Sequence, residues 1–305
     1  MRSLKSTFLI GSLLFVIILF FLSGTLLDQE AQRVVNQLYP RNKEGFLEKM
    51  HPITKVQHYN KAVILIHGFQ SSPRAWADLI QNISRSLPAD IYAPLLPFHG
   101  KNLETLSKLD TNILEEYIKN TINALSKKYQ SLTVVGFSLS GALLANLAQQ
   151  NTLPKNVHLI LYNPAIFLKM NTPARRLQMD VYSVWRHYCN YTYLGCEIPN
   201  YTSGDAIAKH MIDNQPSLLY NVIPAALQVY KLDLKTRNSL HKILAPFHLI
   251  ISKDDNYSDY TKQMQACQTN PACHLHSFNS GKHLIHAGEN KQAFESLLIQ
   301  LVNNH

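Results

Sequence analysis

The stretch Leu132-Thr133-Val134-Val135-Gly136-Phe137-Ser138-Leu139-Ser140-Gly141 decides the fold. It begins as a strand and ends in a sharp turn of small residues, and Ala142 to Gln150 continues it as a helix. Such a strand–turn–helix unit places one side chain, here Ser138, on a tight elbow facing the helix N-terminus. Strand and helix approach closely at an elbow, so small residues must flank it, in the pattern G-x-S-x-G. Gly136 fills the first place. Ser140 stands at the second, with Gly141 one step later, and that is a departure from the pattern.

Working outward, Val63-Ile64-Leu65-Ile66 is a continuous apolar run of branched residues, as expected of a strand buried on both faces. It ends at His67-Gly68. Ser71-Ser72-Pro73 then offers a helix cap followed by proline, with a helix expected to about Leu87. A short strand is expected around Ile91–Leu95. Leu114, Ile118, Ile122 and Leu125 set a helical period between Thr111 and Tyr129. Beyond the elbow, Val157–Tyr162, Phe247–Ser252 and His274–Phe278 read as strands, and Glu289–Asn303 as an amphipathic closing helix. Strands alternating with helices predict an α/β fold with a doubly wound, mainly parallel sheet. Between Tyr162 and Phe247 the alternation breaks over a stretch too long for a simple crossover. It carries the aromatics Tyr182, Trp185, Tyr188, Tyr191 and Tyr193. Residues 167–243 are therefore expected to form a cap inserted over the carboxyl edge of the sheet. Residues 60–166 and 244–305 supply the core.

The chain has 305 residues, enough for one large domain, and 16 % charged residues, too ordinary a mixture for disorder. The formal net charge is +9, yet Lys and Arg are scattered and the longest basic runs are Lys127–Lys128 and Arg175–Arg176. No nucleic-acid motif accompanies them, so the charge reads as surface potential and no nucleic-acid partner is expected. At the N-terminus, Arg2 and Lys5 precede Ser6 to Leu27, which holds no charge. As a helix this run rises about 33 Å, enough to cross a hydrocarbon core of about 30 Å. Residues 1–27 are thus expected to be a membrane anchor, and 28–59 a connector. The positive flank should stay in the cytoplasm and the rest should lie on the far side, periplasmic or extracellular. A cleaved signal peptide, leaving a secreted protein, is the competing reading.

The four cysteines fall into two local pairs, Cys189/Cys196 and Cys267/Cys273. In an oxidising compartment two small disulfide loops are the natural reading, and neither spacing suits zinc. Asn-x-Ser/Thr sequons at Asn82, Asn190, Asn200 and Asn256 matter only where the source glycosylates.

A serine hydroxyl is a poor nucleophile at neutral pH and needs a base, itself oriented by an acid. An acid is expected just past the strand Leu249-Ile250-Ile251-Ser252, where Lys253-Asp254-Asp255 follows. Asp255 is the first choice, Asp254 the near alternative and Asp259 less favoured. Asn279-Ser280-Gly281-Lys282-His283 lies between the last strand and the closing helix. His283 is the preferred base, with His286 also available. The backbone amides of Phe69, after His67-Gly68, and of Leu139, after Ser138, are placed to hold an oxyanion. His67 read alone would be a core histidine.

On these segments the chain resembles the bacterial carboxylesterase and monoacylglycerol-lipase-like branch of the α/β-hydrolases. The resemblance is carried by VILIHGFQSSPRAW (Val63 to Trp76), YAPLLPFHG (Tyr92 to Gly100), GFSLSG, LIISKDD and NSGKHLI, in the family's order over 61–290. Glycine usually stands in that family where this chain has Phe98 and Ser140. The resemblance implies an α/β-hydrolase fold, a lid over an acyl pocket at 167–243, and hydrolysis of carboxylic esters by Ser138, Asp255 and His283. The small-molecule or lipid ester substrate would need no metal or organic cofactor. A peptidase or thioesterase with the same triad, or a non-catalytic binding protein on the same scaffold, are the rival readings.

Overall fold

The computed structural model describes residues 2–38, 41–47, 50–169 and 222–305, with the single positions 177, 180 and 181 between them. Among the described residues, seven strands form one sheet: β1 (Ile53–Lys55), β2 (Lys61–Ile66), β3 (Asp90–Ala93), β4 (Ser131–Phe137), β5 (Val157–Tyr162), β6 (Phe247–Ser252) and β7 (Cys273–Phe278). Their spatial order is β1-β3-β2-β4-β5-β6-β7. Only the edge strand β1 runs antiparallel to its neighbour; the remaining pairs are parallel. The chain steps outward from β2 to β3, then returns across β2 to β4. The strand order therefore reverses between β2 and β4, and a crevice opens at their carboxyl ends, where open α/β sheets bind ligands. Ile66 pairs with Gly136 there, so the segments beginning at His67 and Ser138 leave the sheet side by side.

The helices are α1 (Arg2–Leu38), α2 (Ala77–Ile83), α3 (Leu103–Ser107), α4 (Thr111–Ser126), α5 (Leu139–Ala148), α6 (Ile223–Thr236), α7 (Ser239–Lys242), α8 (Tyr260–Gln268) and α9 (Lys291–Asn303). They cover both faces, because alternate residues of each central strand are apolar on opposite sides. Ala62, Ile64, Leu132, Val134, Leu159, Leu161 and Leu249 pack under α4, α5 and α8. Val63, Leu65, Val135, Phe137, Ile160, Tyr162 and Ile250 pack under α2 and α9 with Trp76. Each fully buried Leu or Ile contributes about 1.5–3 kcal/mol. All ten residues of α5 are buried, as suits a helix apolar all round. Asn102 and Asp110 cap α3 and α4, their carboxylate or amide oxygens accepting from Thr105 N and Asn112 N.

Several local expectations shift. Ser72 makes no capping bond, and the segment opens as one 3-10 turn, Pro73–Trp76, before the short α2. Residues 28–59 hold the last turns of α1 and the strand β1. Ala31 of α1 is fully buried against the domain, and Gln32 Oε1 accepts from Leu103 N at 3.1 Å. Within α1, Ile10–Arg33 is long and apolar enough to cross a membrane and is almost wholly exposed. Cys267 and Cys273 form a disulfide between the end of α8 and the start of β7. Cys189, Cys196 and most of the expected cap lie outside the described residues.

Candidate active site

Ser138 links β4 to α5 with φ 55° and ψ −110°, a conformation that side chains rarely adopt. The backbone on both sides pins it there. Ser138 N donates to Tyr162 O at 3.0 Å, and Ala165 N donates to Ser138 O at 2.8 Å. The flanking glycines answer close approach. A Cβ on Gly136 would lie 2.5 Å from Leu144 Cδ1 and 2.8 Å from Ser140 O. A Cβ on Gly141 would lie 2.8 Å from Gly136 O and 2.9 Å from Pro164 Cβ. Gly141 thus meets the tight contact one step beyond the usual place. Ser140 fits because its hydroxyl is used: it is fully buried, with Oγ 2.8 Å from Ile66 O and 3.0 Å from Phe137 O. The departure in the motif is a tie between the ends of β2 and β4.

That tie holds the loop after β2 against the elbow. A Cβ on Gly68 would stand 3.1 Å from Ser138 Cβ, so the Phe69 amide follows the residue that touches the serine. Leu139, at the first turn of α5, presents an amide without an intrahelical partner. His67 itself is buried. Its Nε2 accepts from Leu96 N at 3.0 Å, and its Nδ1 faces Gly68 O at 2.9 Å. Burial first, and the neighbouring His99 second, hold its pKa well below the ordinary value. It is a neutral brace between two loops.

The three candidate acids separate cleanly. Asp255 is buried, and its Oδ2 lies 2.8 Å from His283 Nδ1. Its Oδ1 accepts from Tyr257 N at 2.7 Å and Ser258 N at 3.2 Å. An ionised carboxylate can only accept, so His283 Nδ1 carries the proton and Nε2 is left as the basic nitrogen. Asp254 points elsewhere: Oδ1 accepts from Ser252 Oγ at 2.6 Å and Lys282 N at 2.8 Å. The Ser252 hydroxyl bond holds its pKa below the ordinary carboxylate value. Asp259 caps α8, accepting from Lys262 N.

The two candidate bases separate as well. The His283 imidazole lies between Phe137, with ring centroids 4.9 Å apart, and Tyr257, at 4.8 Å. Phe137 is the residue before Ser138, so this histidine stands beside the elbow. His286 is a core residue with both nitrogens engaged. Its Nδ1 lies 2.9 Å from Tyr162 Oη and its Nε2 3.1 Å from Ala75 O. A carbonyl only accepts, so Nε2 donates and the Tyr162 hydroxyl donates to Nδ1. Burial pushes its pKa down to about 4.

One residue that sequence reasoning missed joins these parts. Asn163, fully buried just past β5, donates from Nδ2 to His283 O at 2.9 Å and to Lys282 O at 3.3 Å. Its Oδ1 accepts from Ser252 N at 3.0 Å. A polar residue directly after the buried run Leu159–Tyr162 was the available signal.

Residues 63–296 match the model of a family described as the alpha/beta hydrolase family. A thermostable monoacylglycerol lipase from Bacillus sp. (strain H-257) is 23 % identical over 197 residues, 64 % of this chain and 70 % of that protein. The structure of a monoacylglycerol lipase from Paleococcus ferrophilus is similar at TM-score 0.61 and 14 % identity, covering 83 % of this chain and 98 % of that one. A soluble variant of monoglyceride lipase from Saccharomyces cerevisiae, solved with a substrate analogue, is similar at TM-score 0.63 and 14 % identity, over 88 % and 98 %. At these identities the structural likeness speaks for the fold alone.

Proposed function

The chain belongs to the alpha/beta hydrolase family, and from that premise we propose that it hydrolyses carboxylic esters by acyl transfer through Ser138. The observation that carries the reading is the pair formed by the buried Asp255 and the half-buried His283, at 2.8 Å, set beside the Ser138 elbow at the carboxyl end of the sheet. His283 Nε2 takes the Ser138 proton as Oγ attacks the ester carbonyl. The Phe69 and Leu139 amides hold the oxyanion. Asp255 keeps the imidazole in the productive tautomer and stabilises its charged form. His283 then protonates the leaving alcohol. In the second half it activates the water that releases the acid.

The substrate class is a short acyl or monoacylglycerol-type ester. The likeness to monoacylglycerol lipases supports it, as does the half-buried Phe69, next to the Gly68 that abuts Ser138. The apolar part of α1 would anchor the enzyme in a membrane, with the catalytic domain on the non-cytoplasmic side. The test is labelling of the full chain in detergent with a fluorophosphonate, with mass spectrometry of the adduct. Turnover of p-nitrophenyl esters of increasing chain length and of a monoacylglycerol runs alongside. The adduct is expected on Ser138, and Ser138→Ala should lose both adduct and turnover. Turnover that persists in Ser138→Ala would overturn the mechanism.

A further inference from the structure

The amino-terminal ends of β5, β6 and β7, at the opposite edge of the sheet from Ser138, carry a cluster of histidines. His158, His248 and His274 are each the second residue of their strand, and His276 is the fourth of β7. His248 pairs in register with His274, and Ile250 with His276. Ile160 pairs with His248. Side chains two apart on a strand share a face, so all four histidines line one face of three adjacent strands. His305, beyond α9, stacks on His158 at 3.8 Å. His248 is the hub. Its ring lies 5.1 Å from those of both His274 and His276, and its Nδ1 is 3.0 Å from His276 Nε2.

We propose that His248, His274 and His276 form a binding site for a divalent late first-row transition ion, Cu(II) or Ni(II) ahead of Zn(II). Three imidazoles are intermediate nitrogen donors, and the affinity of such sites rises toward copper. Nitrogens 3.0 Å apart, each about 2.0–2.1 Å from an ion, subtend roughly 91–97°, closer to a tetragonal than a tetrahedral angle.

Without metal, one of the two facing nitrogens donates a proton to the other, and among the described residues no three ligands already converge. An ion sits off the line between the two nitrogens, at the apex of that angle, and displaces the shared proton as both rings turn their lone pairs toward it. The donating ring moves its proton to its own second nitrogen, so both rings coordinate as neutral imidazoles and no net proton is lost. His274 is exposed on the edge strand and is free to swing onto the ion. Water completes the coordination.

The experiment uses the untagged full chain in detergent, stripped with a chelator and titrated with Cu(II) or Ni(II) by calorimetry. The Cu(II) form is also read by electron paramagnetic resonance. One ion per chain is expected, with hyperfine splitting from imidazole nitrogens. His274→Gln and His276→Gln should each raise Kd at least tenfold, while His51→Gln, at an exposed histidine before β1, should leave it unchanged. His274 is exposed on an edge strand, so its variant keeps the fold and decides the matter even if His276→Gln does not. Absence of saturable binding near one equivalent would overturn the proposal, as would equal affinity in His274→Gln and the parent chain.

Discussion

Asp255→Asn isolates what the acid does, because the structure fixes how the new amide must lie. Asp255 Oδ1 accepts two backbone bonds, from Tyr257 N at 2.7 Å and Ser258 N at 3.2 Å. An amide placed there keeps its oxygen on those two donors and turns its NH2 toward His283. The ring nitrogen 2.8 Å away must then accept rather than donate. That forces the proton onto Nε2, and a protonated Nε2 cannot take the Ser138 proton. Loss of the productive tautomer in a serine triad lowers kcat by about 10⁴, or roughly 5.5 kcal/mol of transition-state stabilisation. The fold should barely change, since the two backbone bonds survive and the volume is the same. Asp254→Asn is the matched control. Asp254 bonds Ser252 Oγ and Lys282 N and does not touch His283, so kcat should fall less than tenfold. The assay is steady-state hydrolysis of p-nitrophenyl butyrate by both variants, with thermal melts recorded alongside. If Asp255→Asn keeps kcat within tenfold of the parent, or if Asp254→Asn is the more damaged, the assignment of the acid is wrong.

Asn163→Ala removes the side chain that bridges β6 and the His283 loop, and leaves the Ser252 amide without its acceptor. A buried polar group so orphaned costs about 1–3 kcal/mol. The melting temperature and kcat should therefore fall together while KM changes little, and an unaltered kcat would remove Asn163 from the positioning of His283. Stability should also depend on pH through His286, whose folded pKa is about 4 against an ordinary 6.5. Between those values the unfolded chain binds the proton and the folded chain does not. Stability is thus full above about pH 6.5 and falls as pH drops toward 4, by about 3 kcal/mol. Urea unfolding from pH 7 to 4.5 should show this slope, and His286→Gln should make it shallower. His67 and His99 add to it with the same sign.

The central strands are legible from sequence because they are buried on both faces and therefore mostly apolar: the run Val63–Ile66 is uninterrupted, and β4 admits only the small polar residues Ser131 and Thr133. The edges are not. β1 is three residues, Ile53-Thr54-Lys55, half-buried at most, and carries no period to detect. β7 is only partly covered, yet its bounds are nearly right because a disulfide and a turn bracket it. α1 outruns its apolar segment because its last turns are held by packing, through Ala31 and Gln32, rather than by composition. Within the site, Ser138 and His283 stand out by their place at strand ends. Asp254 and Asp255 are neighbours in sequence and differ only in which way the turn aims them. Asn163 acts through two main-chain carbonyls more than a hundred residues away, a relation that no local pattern encodes.

The backbone at Ser138 has a further meaning. A residue other than glycine held at φ 55° and ψ −110° carries local strain of about 1–3 kcal/mol. Glycine would relieve that strain without disturbing the bonds to Tyr162 and Ala165, which are main-chain bonds. Under the proposed mechanism, Ser138 is therefore a position where folding and chemistry pull in opposite directions. A library screened for heat resistance alone would drift toward glycine there, and its most robust members would be inert. Improvement of this protein has to screen for turnover and thermal endurance in the same round.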